Sequence, residues 1–131
     1  KLPIYYDVAH NPAGIRTIRA TLDTFNSKVT NGIMVIKNDK HVDQIALALD
    51  GLFNKLFVAS IPESELMDEQ SLFNALKAQN LNCNIMDSIE KGYAYLYERA
   101  LKGENGIIFG SHYVAESIFN YFEINFDNGS I

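Results

Sequence analysis

Ile33-Met34-Val35-Ile36 is an unbroken apolar run preceded by a glycine. A strand wetted on one face alternates apolar and polar residues; a strand covered on both faces does not. The run therefore calls for a sheet with a layer on each side. The rest of the chain can supply those layers, because five strand-like segments alternate with five helix-like ones. The strands are expected at 4–7, 33–36, 55–60, 82–86 and 106–110. Such alternation predicts an α/β fold with a mostly parallel sheet and helices on both faces.

The helices follow from spacing and caps. Asn11 can cap a helix with Pro12 in its first turn, where a missing N–H costs nothing. Ile15, Ile18, Leu22 and Phe25 then form one apolar stripe. Asp39 can cap a second helix carrying Val42, Ile45, Ala46 and Leu49, which stops near Gly51. A polar loop over 62–69 leads into a helix with Leu72, Phe73 and Leu76. Asp87 and Glu90 have capping-box spacing before Ile89, Tyr93, Leu96, Tyr97 and Ala100. Ser111 can cap the last helix, through Phe119. The tail over 121–126 alternates enough for an edge strand, so the sheet has five or six strands, the sixth antiparallel if it forms. Residues 127–131 read as a frayed end.

At 131 residues the chain fits one domain. Its net charge of -5 argues against a general nucleic-acid binder. No apolar run approaches the length of a membrane span, and the N-terminus lacks signal-peptide features. A single cysteine, Cys83, cannot form an internal disulfide, so a reducing, cytoplasmic setting is expected. Cys83 lies in an expected strand and reads as a small buried apolar residue. Spacing in Tyr93-Ala94-Tyr95-Leu96-Tyr97 suits helix packing with exposed rings better than a base-stacking platform. The chain opens at Lys1 and enters its first strand almost at once. It is expected to be the C-terminal piece of a longer protein, although trimming and maturation would look the same.

The chemistry concentrates where strands give way to helices. Asp7, His10 and Asn11 follow the first strand; Lys37, Asn38, Asp39 and Lys40 follow the second; Gly110, Ser111 and His112 follow the fifth. In a parallel sheet all three junctions open on one edge, where ligands of α/β proteins bind. There a carboxylate can accept from ribose hydroxyls. A lysine beside a helix N-terminus can hold an anion. A neutral histidine can donate to or accept from a carboxylate or an amine. Each residue also has an ordinary role open to it. Asn11 and Ser111 are good helix caps, Asp7 can cap locally, His10 can be structural, and Lys40 can be a solvated helix residue. It is their convergence on one edge that points to a site.

Several motifs are missing from the sequence. The first strand is not followed by G-x-G-x-x-G, and there is no phosphate-cradling G-x-x-x-x-G-K-[ST]. No G-x-S-x-G elbow is present. His10, His41 and His112 lack zinc-ligand spacing and cysteine partners, so no metal site is expected.

Tyr6-Asp7-Val8-Ala9-His10-Asn11-Pro12 resembles the D-x-A-H-N-P signature of folylpolyglutamate synthases and dihydrofolate synthases, within the Mur ligase superfamily. Met34 through Val42 is similar to that family's strand and K-D-K-D-like turn. Ile107 through Glu116 is similar to its late G-S-x-Y segment. The three motifs occur in order over essentially the whole chain. After Ser111 the segment is one residue shorter than in many relatives.

The resemblance implies a Rossmann-like C-terminal domain of a two-domain ATP- and Mg2+-dependent ligase. The partner domain is the N-terminal, ATP-binding part of the same chain, which holds the P-loop and most magnesium ligands. The reaction activates a carboxylate of folate or dihydropteroate as an acyl phosphate, which the amine of L-glutamate attacks. By similarity Asp7 holds the ATP ribose, and Asn11 supports that loop. His10 and Ser111 position glutamate near the acyl phosphate, His10 as the catalytic group. Lys40 binds the amino acid's carboxylate. The domain alone is expected to be inactive. Two alternatives stay open: the C-terminal domain of a cell-wall Mur ligase, and a non-catalytic nucleotide-binding module.

Overall fold

Burial on both faces is what the central strands are built for. The computed structural model describes residues 3–24, 29–38 and 40–126, the last three by backbone alone. Its strands are β1 (Ile4–Asp7), β2 (Thr30–Met34), β3 (Lys55–Val58), β4 (Asn84–Ile85) and β5 (Asn105–Phe109). Every residue of β2 and of β5 is buried. The five strands form one parallel sheet in the order β1-β5-β2-β3-β4.

The pleat divides the apolar residues between two layers. Met34, Ile36, Ile107 and Phe109 face one cluster, packed by α1 (Pro12–Leu22), α2 (Val42–Leu49) and α3 (Glu69–Ala78). Ile33, Val35 and Ile108 face the other, packed by α4 (Ile89–Ala100) and α5 (Ala115–Phe126). Strands β1 to β4 advance across the sheet with helices on one face. The chain then returns to β5 through α4 on the other face. That return inserts β5 between β1 and β2, so the three polar junctions become neighbours.

Some local expectations are corrected. The tail over 121–126 is not an edge strand; it completes α5, and the described sheet is wholly parallel. Val114, Ile118 and Phe122 recur every four residues, and all three are buried. That helical stripe outweighs the tail's weak alternation. Ser88, rather than the Asp87/Glu90 pair, caps α4 by accepting from the Lys91 N–H. Asp87 instead pairs with the Lys91 ammonium at 3.4 Å. Ser111 caps a short 3-10 turn, α5's entry at His112–Val114, rather than the helix itself. At the edge, β4 is shorter than expected, though Cys83 beside it is buried as anticipated. Tyr95 and Tyr97 are half-buried rather than exposed, and Tyr93 is fully buried with its hydroxyl 2.9 Å from Ser117 Oγ. His41 occupies the N-cap of α2 without a side-chain bond. The expected cap Asp39, Phe25 and the end over 127–131 lie outside the described residues.

The far, amino-terminal edge of the sheet carries a polar lock. Glu104 accepts from buried Asn31 at 2.9 Å and from Arg99 Nε at 2.9 Å, with a second Arg99 contact to its other oxygen. The Arg99 bond first, then Asn31, holds the Glu104 carboxyl below its ordinary value of 4.5. A depressed carboxylate contributes stability above its unfolded value and loses it as pH falls through the folded one. Glu104→Gln is therefore expected to lower the urea midpoint at neutral pH. Its deficit against wild type should shrink in acid. A deficit constant from neutral to strongly acidic pH would contradict this assignment.

Candidate functional site

The first motif is folded by its own hydrogen bonds. Asp7 ends β1, and its Oδ1 accepts from the Ala9 N–H at 2.8 Å, turning the chain out of the sheet. His10 Nδ1 lies 2.9 Å from the Val8 carbonyl. A carbonyl only accepts, so Nδ1 carries the proton, and a neutral ring then presents Nε2 as an acceptor. Asn11 caps α1, its Oδ1 accepting from the Gly14 N–H at 2.9 Å, with Pro12 at the first helical turn. Asp7, His10 and Asn11 are all exposed.

The β5 junction is held from beneath. The Tyr6 hydroxyl donates to the Ser111 carbonyl at 3.0 Å. Burial, with a smaller push from the Asp7 charge, raises the Tyr6 pKa and keeps it a donor. Ser111 is itself buried, and its Oγ accepts from the Tyr113 N–H at 3.2 Å. Its own O–H thus remains available as a donor. Gly110 has φ +117, and a Cβ there would lie 1.7 Å from the Val35 carbonyl oxygen.

The β2 junction is braced by the segment 61–67. Lys37 bridges to Leu66 antiparallel, the Asn38 N–H donates to the Glu65 carbonyl at 3.1 Å, and the Met67 N–H donates to the Ile36 carbonyl at 2.7 Å. The Tyr113 hydroxyl donates to the Glu65 carboxylate, tying this brace to the β5 junction. The Lys37 ammonium stands 6.0 Å from the Tyr113 ring centroid, at the limit of a cation–π contact.

These junctions enclose one cavity of about 280 Å³, whose lining includes His10, Lys37, Lys40, Ser111 and His112. His10, Lys40 and Ser111 therefore do meet, as their sequence positions suggested. Asn11 instead lines an adjoining cavity of about 160 Å³, which His10 and Lys40 share. Asp7 lies on the same edge but lines neither cavity. Lys37 and His112 belong to the cavity and were visible in sequence only as neighbours of Lys40 and Ser111. The sequence signal for them was their place at the two junctions. Chemically, the cavity offers hydrogen-bond donors and cations to an anion, with an imidazole acceptor at its mouth. Among the described residues, no group of three or more His, Cys, Asp or Glu is placed to hold a metal ion.

No protein-family model matches the chain. A stretch of 70 residues, 53% of the chain, is 31% identical to the dihydrofolate synthase/folylpolyglutamate synthase of Mycobacterium tuberculosis and spans 14% of that protein. The structure of folylpolyglutamate synthase from the same organism, complexed with ADP and AMPPCP, superposes with a TM-score of 0.73 at 23% identity. That match covers 88% of this chain and 28% of the other. The E. coli FolC structure in complex with DHPP and ADP gives 0.74 at 14% identity, covering 89% of this chain and 28% of the other. At those identities the structural likeness is one of fold. The chain thus spans well under a third of the relatives it matches.

Proposed function

We propose that this chain is the C-terminal domain of an ATP-dependent ligase of the folylpolyglutamate synthase/dihydrofolate synthase group, adding L-glutamate to folate or dihydropteroate. One observation carries the reading: His10, Lys40 and Ser111, drawn from three separate motifs, line a single cavity. The likeness of sequence and fold to folylpolyglutamate synthases supports it.

Bound ATP with Mg2+ supplies the phosphoryl group that turns the folate carboxylate into an acyl phosphate. The residues of this chain hold the other reactant. The Lys40 ammonium and the Ser111 O–H take glutamate's carboxylate. His10 Nε2 accepts a proton from the glutamate amine as it attacks the acyl carbon and phosphate leaves. Asp7 has Oδ1 engaged by the Ala9 N–H, which leaves Oδ2 for a ribose hydroxyl. Asn11, as the α1 cap, holds His10 and Asp7 in one rigid turn.

The chain contains no phosphate-cradling loop, so the triphosphate and magnesium belong to the N-terminal domain of the same protein. Closure of that domain over this edge would exclude water from a hydrolysable acyl phosphate. The chain alone is then inactive, and the whole enzyme works in the cytoplasm.

The test is phosphate release by the whole protein with ATP, glutamate and folate or dihydropteroate varied in turn. Release should require all three. Ser111→Ala should raise KM for glutamate about tenfold, the scale of one hydrogen bond to a charged group, with KM for ATP unchanged. Release that ignored folate but responded to a cell-wall peptide precursor would assign the chain to the cell-wall ligases instead.

A further inference from the structure

The cavity at the sheet edge does not end there. It shares His10 and Lys40 with the adjoining cavity. That one shares Pro12 and Gln44 with a third, of about 460 Å³, lying between α1 and α2. Through these shared residues the three cavities adjoin in a row, a trough running from the strand ends along the α1–α2 seam. From Pro12 to Arg19 the helix alone rises about 10 Å, the reach of roughly three extended residues.

The charge of the trough opposes that of the chain. The sequence has 16 Asp and Glu against 11 Lys and Arg. Yet none of the described residues lining the three cavities is acidic, while Lys37, Lys40, Arg16 and Arg19 line them. Arg19 is fixed in place, its guanidinium donating to the Ala48 and Asp50 carbonyls at 3.1 and 2.7 Å, where it closes the C-terminal end of α2. Arg16 is exposed one turn earlier on the same helix. A row of separated cations fits a flexible ligand with repeated negative charges better than a single compact anion.

We propose that the trough holds an extended chain of carboxylates, an oligo-γ-glutamyl tail. The choice of ligand rests on the function proposed above, since repeated glutamate addition makes such a tail. The trough begins at the cavity where each new residue would be joined. A growing tail lying along it keeps its end near the reacting groups, and Arg16 contacts carboxylates remote from the reaction.

The test uses the whole protein and a fluorescent oligo-γ-glutamate, with binding read by anisotropy. Binding is expected to weaken as salt rises. Arg16→Glu should weaken it about tenfold, the scale of inverting one exposed ion contact. The same variant should keep the wild-type urea midpoint and its turnover of monoglutamyl folate. No binding, or binding indifferent to Arg16→Glu, would overturn the proposal. So would a single-stranded oligonucleotide that bound as tightly with the same dependence on Arg16. A wild type that bound the oligoglutamate but showed no folate- and glutamate-dependent turnover would overturn the ligase reading and support the trough.

Discussion

Gly110→Ala should destabilise the protein by about 3 kcal/mol or more, a large share of the roughly 5–15 kcal/mol that holds an ordinary domain together. Two costs combine. Gly110 sits at φ +117, where an L side chain is strained by about 1–2 kcal/mol. The added methyl would also stand 1.7 Å from the Val35 carbonyl oxygen, backbone one residue past β2 that is tied to β5 by the Val35 N–H donating to the Phe109 carbonyl at 3.0 Å. Relief requires β5 to part from β2, and such overpacking costs a further ~1–3 kcal/mol. Gly103 provides the control. It also has positive φ, +85, but nothing lies within 4 Å of its would-be Cβ. Gly103→Ala should cost only about 1 kcal/mol. Urea denaturation of the two variants separates strain from overlap, and equal losses would show that the contact with Val35 does not matter. Since Gly110 also lines the cavity beside Ser111, its variant should also lose the glutamate binding proposed for that cavity.

Under the ligase mechanism proposed above, His10→Ala in the whole protein is expected to lower kcat by about a hundredfold or more, the usual contribution of a positioned general base. KM for ATP should barely move. His10 is exposed, and its one described bond runs to Val8, two residues away. Removing the ring should therefore change the unfolding free energy, read by urea denaturation, by no more than about 0.5 kcal/mol. Unchanged kcat, or a loss of activity matched by a loss of stability, would remove His10 from the chemistry.

Much of this architecture was legible in sequence because it is local. The cap–proline pair at Asn11-Pro12 and the buried stripe of Ile15 and Ile18 depend on residues within two turns of one another, and both are present in the fold. The continuous run at Ile33 predicts a strand over 33–36 covered on both faces; Ile33 through Ile36 are all buried, but β2 lies earlier, at Thr30–Met34, and the last two residues of the run continue past it. In the tail over 121–126 a short stretch of alternation yields to the four-residue period that runs through it from Val114. Asp87 and Ser88 offer the same cap chemistry one residue apart, and spacing alone does not choose between them; in the fold Ser88 takes the cap.

The site divides in the same way. The sequence alone determined which residues stand at strand ends, since strand and helix periods and caps are set by near neighbours. It thereby determined the chemical character of the edge: an imidazole, a lysine and a hydroxyl. Only the tertiary structure decided that these come together, because β5 is threaded between β1 and β2 by a return through the opposite layer. Tyr6 holding the Ser111 carbonyl from 105 residues away and Tyr113 tied to Glu65 are consequences of that threading. So are the requirement for glycine at 110 and the basic trough on an acidic chain. No local period encodes them, because each arises where backbones distant in sequence are pressed together by burial of the two apolar layers.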